Sequence, residues 1–273
     1  MPTLRVLHVS DLHAGTHEEP EVEADLVELV RATDPEVVLA TGDLTHRNRP
    51  EQQERAARLL RSLERPLVVV PGNHDIPPWP PARLLRPFDE FRRRWAEVEP
   101  VYRSERLVVC GLNSVRPWKH QGGALRRGQL EHAARVLAEA PAGALKVVAL
   151  HHHLIGAPWR SRKRPVAGRA SVLGALVDAG AELIVSGHVH QSAVGERREF
   201  EVAAGPVHGT TVVTAPGLGQ PRPRRRGEAR GLHLFEADER TLRVLTYAWV
   251  EHRWAQIADR RFPRGTEPLS AIG

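Results

Sequence analysis

Cysteine is almost missing from this chain of 273 residues: Cys110 is the only one. An intramolecular disulfide is therefore impossible, and a cysteine-built zinc site is excluded. Lysine is nearly as scarce, with Lys119, Lys146 and Lys163 the full set. Aromatic residues make up 5%, too few for a long base-stacking platform. No run approaches the ~18 apolar residues of a membrane-spanning helix. No charged-then-apolar leader precedes Leu4–Ser10, which already reads as a strand, so the expected location is the cytoplasm with no membrane partner. Hydrophobic residues at 41% and charged residues at 26% exclude collagen-like, coiled-coil and disordered chains. The length suffices for a substantial core, and one domain over residues 1–273 is expected.

Arginine and histidine are abundant instead. The formal charge is +6, which favours anionic partners such as phosphate compounds, nucleic acid or acidic surfaces. A GC-rich coding sequence would also exchange lysine for arginine. Two basic runs, Arg160–Arg164 and Arg222–Arg226, read as solvated loops, with contact to substrate as the alternative.

Apolar runs alternate with helical patterns along the first two thirds. Strands are expected at Leu4–Ser10, Val37–Thr41, Leu67–Pro71, Leu107–Ser114, Lys146–Leu150 and Glu182–Ser186. Helices are expected at Glu21–Thr33, Glu51–Leu63, Pro87–Val98, Gly128–Ala138 and Ala170–Ala179, and Ile76–Pro81 must be an extended loop. Thr211–Ala215, Gly231–Phe235 and Thr241–Val250 then follow as strands without helices between them. The continuous apolar runs suit strands buried on both faces, and the C-terminal set reads as antiparallel.

Five of these strands end in metal-binding residue types. The first runs into Asp11-Leu12-His13, the second into Gly42-Asp43 and the third into Gly72-Asn73-His74-Asp75. His151-His152-His153 and Gly187-His188-Val189-His190 follow two later strands. Ligands in α/β sheets bind at the C-terminal ends of strands. Each piece alone is weak, since a turn explains it. Five in order, each directly after an apolar run, deliver Asp, Asn and His to one sheet edge.

Carboxylate and amide oxygens with imidazole nitrogens suit Mn²⁺, Fe or Zn²⁺. Two divalent ions against Asp11, Asp43 and a hydroxide leave a site of net charge about +1, ready for an anion. Bound water at such ions is acidified toward ~7.

The ordered set resembles the signature of calcineurin-like metallophosphoesterases, over about Leu4 to His190. The resemblance implies a four-layer α/β/β/α sandwich of two mixed sheets, with strands over 205–255 completing the second sheet. It also implies two metal ions, Mn or Fe favoured and Zn possible. Asp11, His13 and His190 would hold one, Asn73, His151 and His188 the other, and Asp43 both. His74 would donate to a phosphate oxygen or the leaving group, oriented by Asp75. His151 is taken as the ligand because it comes first after its strand, with His152 near the substrate.

Ser10-Asp11-Leu12-His13, Gly42-Asp43-Leu44-Thr45, Val70-Pro71-Gly72-Asn73-His74-Asp75 and Gly111-Leu112-Asn113-Ser114 narrow the resemblance to class III cyclic-nucleotide phosphodiesterases. That branch implies hydrolysis of cyclic nucleotides or related small phosphodiesters by a metal-bridging hydroxide, with Asn113 as a substrate contact or a turn residue. His151-His152-His153 departs from the branch's usual His-His-Pro. A nuclease or phosphomonoesterase of the same superfamily is the alternative, and a non-catalytic metal-stabilised scaffold the more distant one.

His8 and Cys110 read as core residues, His17 as solvent-exposed, His46 as facing away from the site, and His153 as a loop or surface residue. Trp79, Trp118 and Trp159 fall in expected loops, where they pack ordinarily or wall the pocket.

Overall fold

The computed structural model describes residues 3–16, 20–155, 163–200, 209–219 and 229–265. His17, Trp159, all of Arg222–Arg226 and most of Arg160–Arg164 lie outside the described residues. The strands are β1 (Leu4–Val9), β2 (Val37–Thr41), β3 (Leu67–Val70), β4 (Val101–Arg103), β5 (Leu107–Leu112), β6 (Leu145–Leu150), β7 (Leu183–Ser186), β8 (Ala193–Glu196), β9 (Thr211–Thr214), β10 (Gly231–Ala237), β11 (Thr241–Val250) and β12 (Arg253–Pro263). The helices are α1 (Pro20–Thr33), α2 (Pro50–Ser62), α3 (Ala82–Leu85), α4 (Asp89–Trp95), α5 (Arg127–Ala138), α6 (Arg169–Asp178) and α7 (Arg197–Phe200).

Two mixed six-stranded sheets form, in the orders β12-β11-β10-β1-β2-β3 and β4-β5-β6-β7-β9-β8. Three apolar layers hold them. In β1, Leu7 and Val9 pack toward α1, α2 and α4, joined by Val22, Leu26, Leu60 and Phe91. Leu4 and Val6 pack toward the other sheet, against partners such as Val109, Val147 and Val185. Val108, Val148 and Ile184 cover the second sheet's outer face with Val136, Leu137 and Leu176 of α5 and α6. Strands with helices on one side and a sheet on the other are apolar at every position, which is why these segments read as continuous runs. Cys110 lies in this core, and burial pushes its thiol up to about 12.

The expected completion of the second sheet by the C-terminal strands is corrected. Only β9 joins that sheet, parallel to β7. β10 pairs antiparallel with β1, and β11 and β12 extend the first sheet outward. Residue alternation tells which face of a strand is buried, but not which sheet edge is open to receive it.

Five further elements, β4, β8, β12, α3 and α7, were not expected from the sequence. β12 is an edge strand with mostly exposed side chains, held by its ladder to β11 and by the Arg243–Asp259 ion pair. It therefore carries no apolar run. α4 is shorter than the expected Pro87–Val98 because Ala96 takes a left-handed φ of 50°.

Candidate metal centre

The C-terminal ends of β1, β2 and β3 in one sheet, and of β6 and β7 in the other, meet at one edge. Backbone hydrogen bonds set this meeting. Asp11 N–H donates to the Gly42 carbonyl and His13 N–H to that of Asp43, both at 2.9 Å. Across the sheets, His188 N–H donates to Asp11 Oδ2 at 2.9 Å, and His151 Nδ1 donates to the Thr41 carbonyl at 2.7 Å. The chain turns sharply off each strand. Asp11, His13, Asp43, His188 and His190 all have left-handed φ values between 48° and 74°, a conformation that Asp and His adopt more readily than most residues and that accumulates at functional sites. Gly72 and Gly187 have no room for a Cβ, being pressed against Asp43 and against Ser10 and Asp11.

Two groups of donors result. In the first, one ligand atom each from Asp11, His13, Asp43 and His190 lies within 4.8 Å of the others. His190 Nε2 is 3.1 Å from both Asp11 Oδ1 and His13 Nε2. In the second, His151, His152 and His188 converge in the same way, and His151 Nε2 is 3.2 Å from both Asn73 Oδ1 and His188 Nδ1. Asp43 lies between the groups: Oδ2 is 3.8 Å from His13 Nε2 and Oδ1 is 3.3 Å from His151 Nε2.

These residues fit a pair of metal ions by their unmet valences. Asp11 Oδ1 and Asp43 Oδ2 are buried without a hydrogen-bond partner among the described residues, each facing imidazole nitrogens of its donor group. Such orphaned groups are costly unless a ligand or ion satisfies them. The charge states agree. Burial alone would raise Asp11 and Asp43, yet the adjacent histidines win and both pKa values fall below the ordinary carboxylate range. Burial keeps His13 and His188 neutral, so their lone pairs stay available. At His151 burial is outweighed by the Asp43 carboxylate, which lifts the pKa to about 9. The carboxylate pair thus demands positive charge beside it.

His74 lies at the rim, its ring centroid 5.0 Å from that of His13. Its N–H donates to Asp43 Oδ1 at 2.8 Å, and its ring Nδ1 donates to the His46 carbonyl at 2.7 Å. The expected orientation of His74 by Asp75 is therefore corrected. Asp75 is fully buried, and its oxygens accept from the N–H groups of Gly72, Leu44 and Thr45 and from the Thr45 hydroxyl, at 2.8–3.1 Å. It ties the β2 and β3 turns together, because those turns leave amide donors that only a buried carboxylate reaches.

Asn113 uses its side-chain oxygen to accept from Val115 N–H at 2.9 Å, closing a local turn. That is the turn role, and among the described residues only its amide nitrogen is left for a substrate. His152 is buried, with Nδ1 2.8 Å from the Ser114 hydroxyl. His153 is buried rather than at the surface, its ring stacked over His188 at 5.9 Å. His46 faces the site after all: it forms a third convergent group with His13 and His74, and its ring stacks on His74 at 5.8 Å. Its only sequence signal is its place two residues after Gly42-Asp43-Leu44.

Comparison with known proteins agrees with this geometry. The family model described as calcineurin-like phosphoesterase matches residues 4–192, so the chain belongs to that family and is a metal-dependent phosphoesterase. It is 25% identical over 224 residues to the 3′,5′-cyclic adenosine monophosphate phosphodiesterase CpdA of Haemophilus influenzae, covering 75% of this chain and 76% of that one. It is 28% identical over 206 residues to a probable cyclic nucleotide phosphodiesterase of Synechococcus sp., covering 71% and 76%. Its fold is similar to that of a dimetal phosphatase from Danio rerio, with a TM-score of 0.66, 13% identity, and coverage of 97% of this chain and 100% of that one.

Proposed function

We propose that this protein hydrolyses small phosphodiesters, nucleotide diesters foremost, using a pair of metal ions. The observation that carries the reading is the two-sided placement of Asp43, one oxygen toward each donor group, with His74 at the rim. The similarity over three quarters of the chain to a protein named as a cyclic-nucleotide diesterase supports the choice of a diester.

In this reading Asp11, His13 and His190 hold one ion, Asn73, His151 and His188 the other, and Asp43 both. Oxygen and imidazole donors without thiolate favour Mn²⁺ or Fe, with Zn²⁺ accepted. When bound, the ions supply Lewis acidity and an acidified water. The chain's own residues do the rest. The carboxylates of Asp11 and Asp43 balance part of the positive charge, so an anionic ester is attracted but not trapped. His74 Nδ1 is committed to the His46 carbonyl, so Nε2 takes up and releases the mobile proton. In its protonated form it donates to a phosphate oxygen or to the departing alkoxide. Thr41 and Ser114 hold the rings of His151 and His152 in place, as partners of metal-site histidines commonly do.

The test is hydrolysis of bis-p-nitrophenyl phosphate against p-nitrophenyl phosphate by protein stripped of metal and reconstituted with Mn²⁺. A clear preference for the diester is expected. Preference for the monoester would overturn the diesterase reading. Two bound metals with neither substrate turned over would overturn it in favour of a nuclease or a scaffold, and single-stranded DNA would separate those two.

A further inference from the structure

An open cleft of about 1010 Å³ lies beside the metal centre and takes no part in the chemistry above. Its walls are the segments 118–123 and 164–171, and its floor is Gly123. Lys119, His120, Arg164 and Arg169 line it, with no Asp or Glu among the lining residues. Trp118 stands at its mouth, 65% exposed.

The cleft is a constructed feature rather than a gap between loose loops. Gly123 and Val166 form a parallel bridge, Ala167 N–H donates to the Gly123 carbonyl at 2.9 Å, and Val166 N–H donates to that of His153 at 3.1 Å. Behind the wall that carries Trp118 and Lys119, the buried guanidinium of Arg83 donates to the carbonyls of Pro117, Pro77 and Lys119 at 2.8, 3.0 and 3.1 Å. A buried cation satisfied by three carbonyls fixes that wall before any ligand arrives. The uncapped N-terminus of α6, at Gly168, opens on the same space.

The cleft also adjoins the reaction centre. A Cβ at Gly123 would strike the His152 ring, and that ring is 4.6 Å from His188. The cleft therefore abuts the second donor group through the His152 ring.

We infer that this cleft binds a second phosphate of the substrate, with the adjoining nucleobase stacked on Trp118. The preferred substrate is a phosphodiester joined to a further phosphate, as in a 5′-phosphorylated dinucleotide. Three basic side chains with no acidic residue lining the cleft among the described residues suit a phosphate rather than a neutral sugar, and an exposed indole at their edge suits a base. The inference rests on the diesterase reading and adds the substrate class to it.

The experiment compares 5′-phosphorylated diadenylate with bis-p-nitrophenyl phosphate, which lacks both second phosphate and base. The enzymes are the Mn²⁺-loaded wild type, the triple variant Lys119→Glu, Arg164→Glu, Arg169→Glu, and Trp118→Ala. Both variants are expected to raise KM for the dinucleotide about tenfold or more, with KM for bis-p-nitrophenyl phosphate within about twofold of wild type. Equal change on both substrates, or no change on the dinucleotide, would overturn the inference. A much stronger variant effect on a twelve-nucleotide DNA strand than on the dinucleotide would overturn it too, in favour of nucleic acid. If bis-p-nitrophenyl phosphate is not hydrolysed at all, the diesterase reading fails. Calorimetric binding of the dinucleotide, lost in the triple variant, would still support the cleft, and retained binding would overturn it.

Discussion

Two sets of histidines are buried in this protein, and they do opposite things. His8 on β1 and His233 on β10 stack with Phe235 between the sheets, at centroid distances of 6.0–6.1 Å. Each has one ring nitrogen on a hydroxyl, His8 on Thr41 at 2.8 Å and His233 on Ser192 at 3.1 Å. His13, His151, His188 and His190 are no more polar in composition. They sit past the ends of strands, His13 after β1 and the other three after β6 and β7 of the facing sheet, and all but His151 take left-handed φ values. Both sets contain buried nitrogens without partners. What separates them is convergence. Ring nitrogens at the edge, Nε2 of His13, His151 and His190, lie 3.1–3.9 Å from the carboxylates of Asp11 and Asp43, whereas His8 and His233 have no carboxylate within ion-pair distance among the described residues. Burial alone makes a neutral histidine. A histidine facing a carboxylate across a gap makes a ligand.

The comparison breaks most sharply at Asp43. Asp43→Ala removes the group facing both donor sets, so turnover is expected to vanish and metal content by elemental analysis to fall. Retained activity would sink the two-sided assignment. His74→Ala is expected to keep its metals and lose about 10²–10⁴-fold in kcat. Metal loss in that variant would place His74 among the ligands.

Asp75→Asn sharpens the distinction between chemistry and support. The amide replaces one acceptor oxygen with a donor facing other donors, and about 1–3 kcal/mol of stability is expected to go, read by urea unfolding. The pH dependence of the rate should keep its wild-type shape. A shifted profile with unchanged stability would restore the abandoned pairing of Asp75 with His74.

The smallest effect belongs to the core pair. Burial lowers the His233 pKa to about 3, against about 6.5 in the unfolded chain. The unfolded state therefore binds the proton first as pH falls. Stability from this group is fully present above about pH 6.5 and is lost progressively toward pH 3, by about 2 kcal/mol at pH 5. His233→Phe should lose about that much less than wild type between pH 7 and 5. An identical loss in both proteins would show that His233 carries no such penalty.

Much of this was legible in the residues. Apolar runs ending in Asp, Asn and His announced strands buried on both faces and a polar edge, because sheet geometry delivers strand ends to one place. Asp43 stood out by its own motif. His46 and His153 did not, since nothing in their neighbours signals which way a loop folds back. Asp75 was misread for the same reason. Its place next to His74 suggested a pair, but a side chain adjacent in sequence need not be adjacent in space, and the amides of two other turns claimed it.

The sequence by itself determined the alternation of strands and helices and the chemical types gathered at the edge, since both follow from local pattern and from the direction of a strand. Only the tertiary structure decided that β10–β12 extend the first sheet, that Asp43 lies between the two donor groups, and that Arg83 braces a basic cleft beside His152. Those facts depend on which edges and loops meet across long stretches of chain. Side-chain periodicity carries no record of such meetings; packing and the satisfaction of buried polar groups select them.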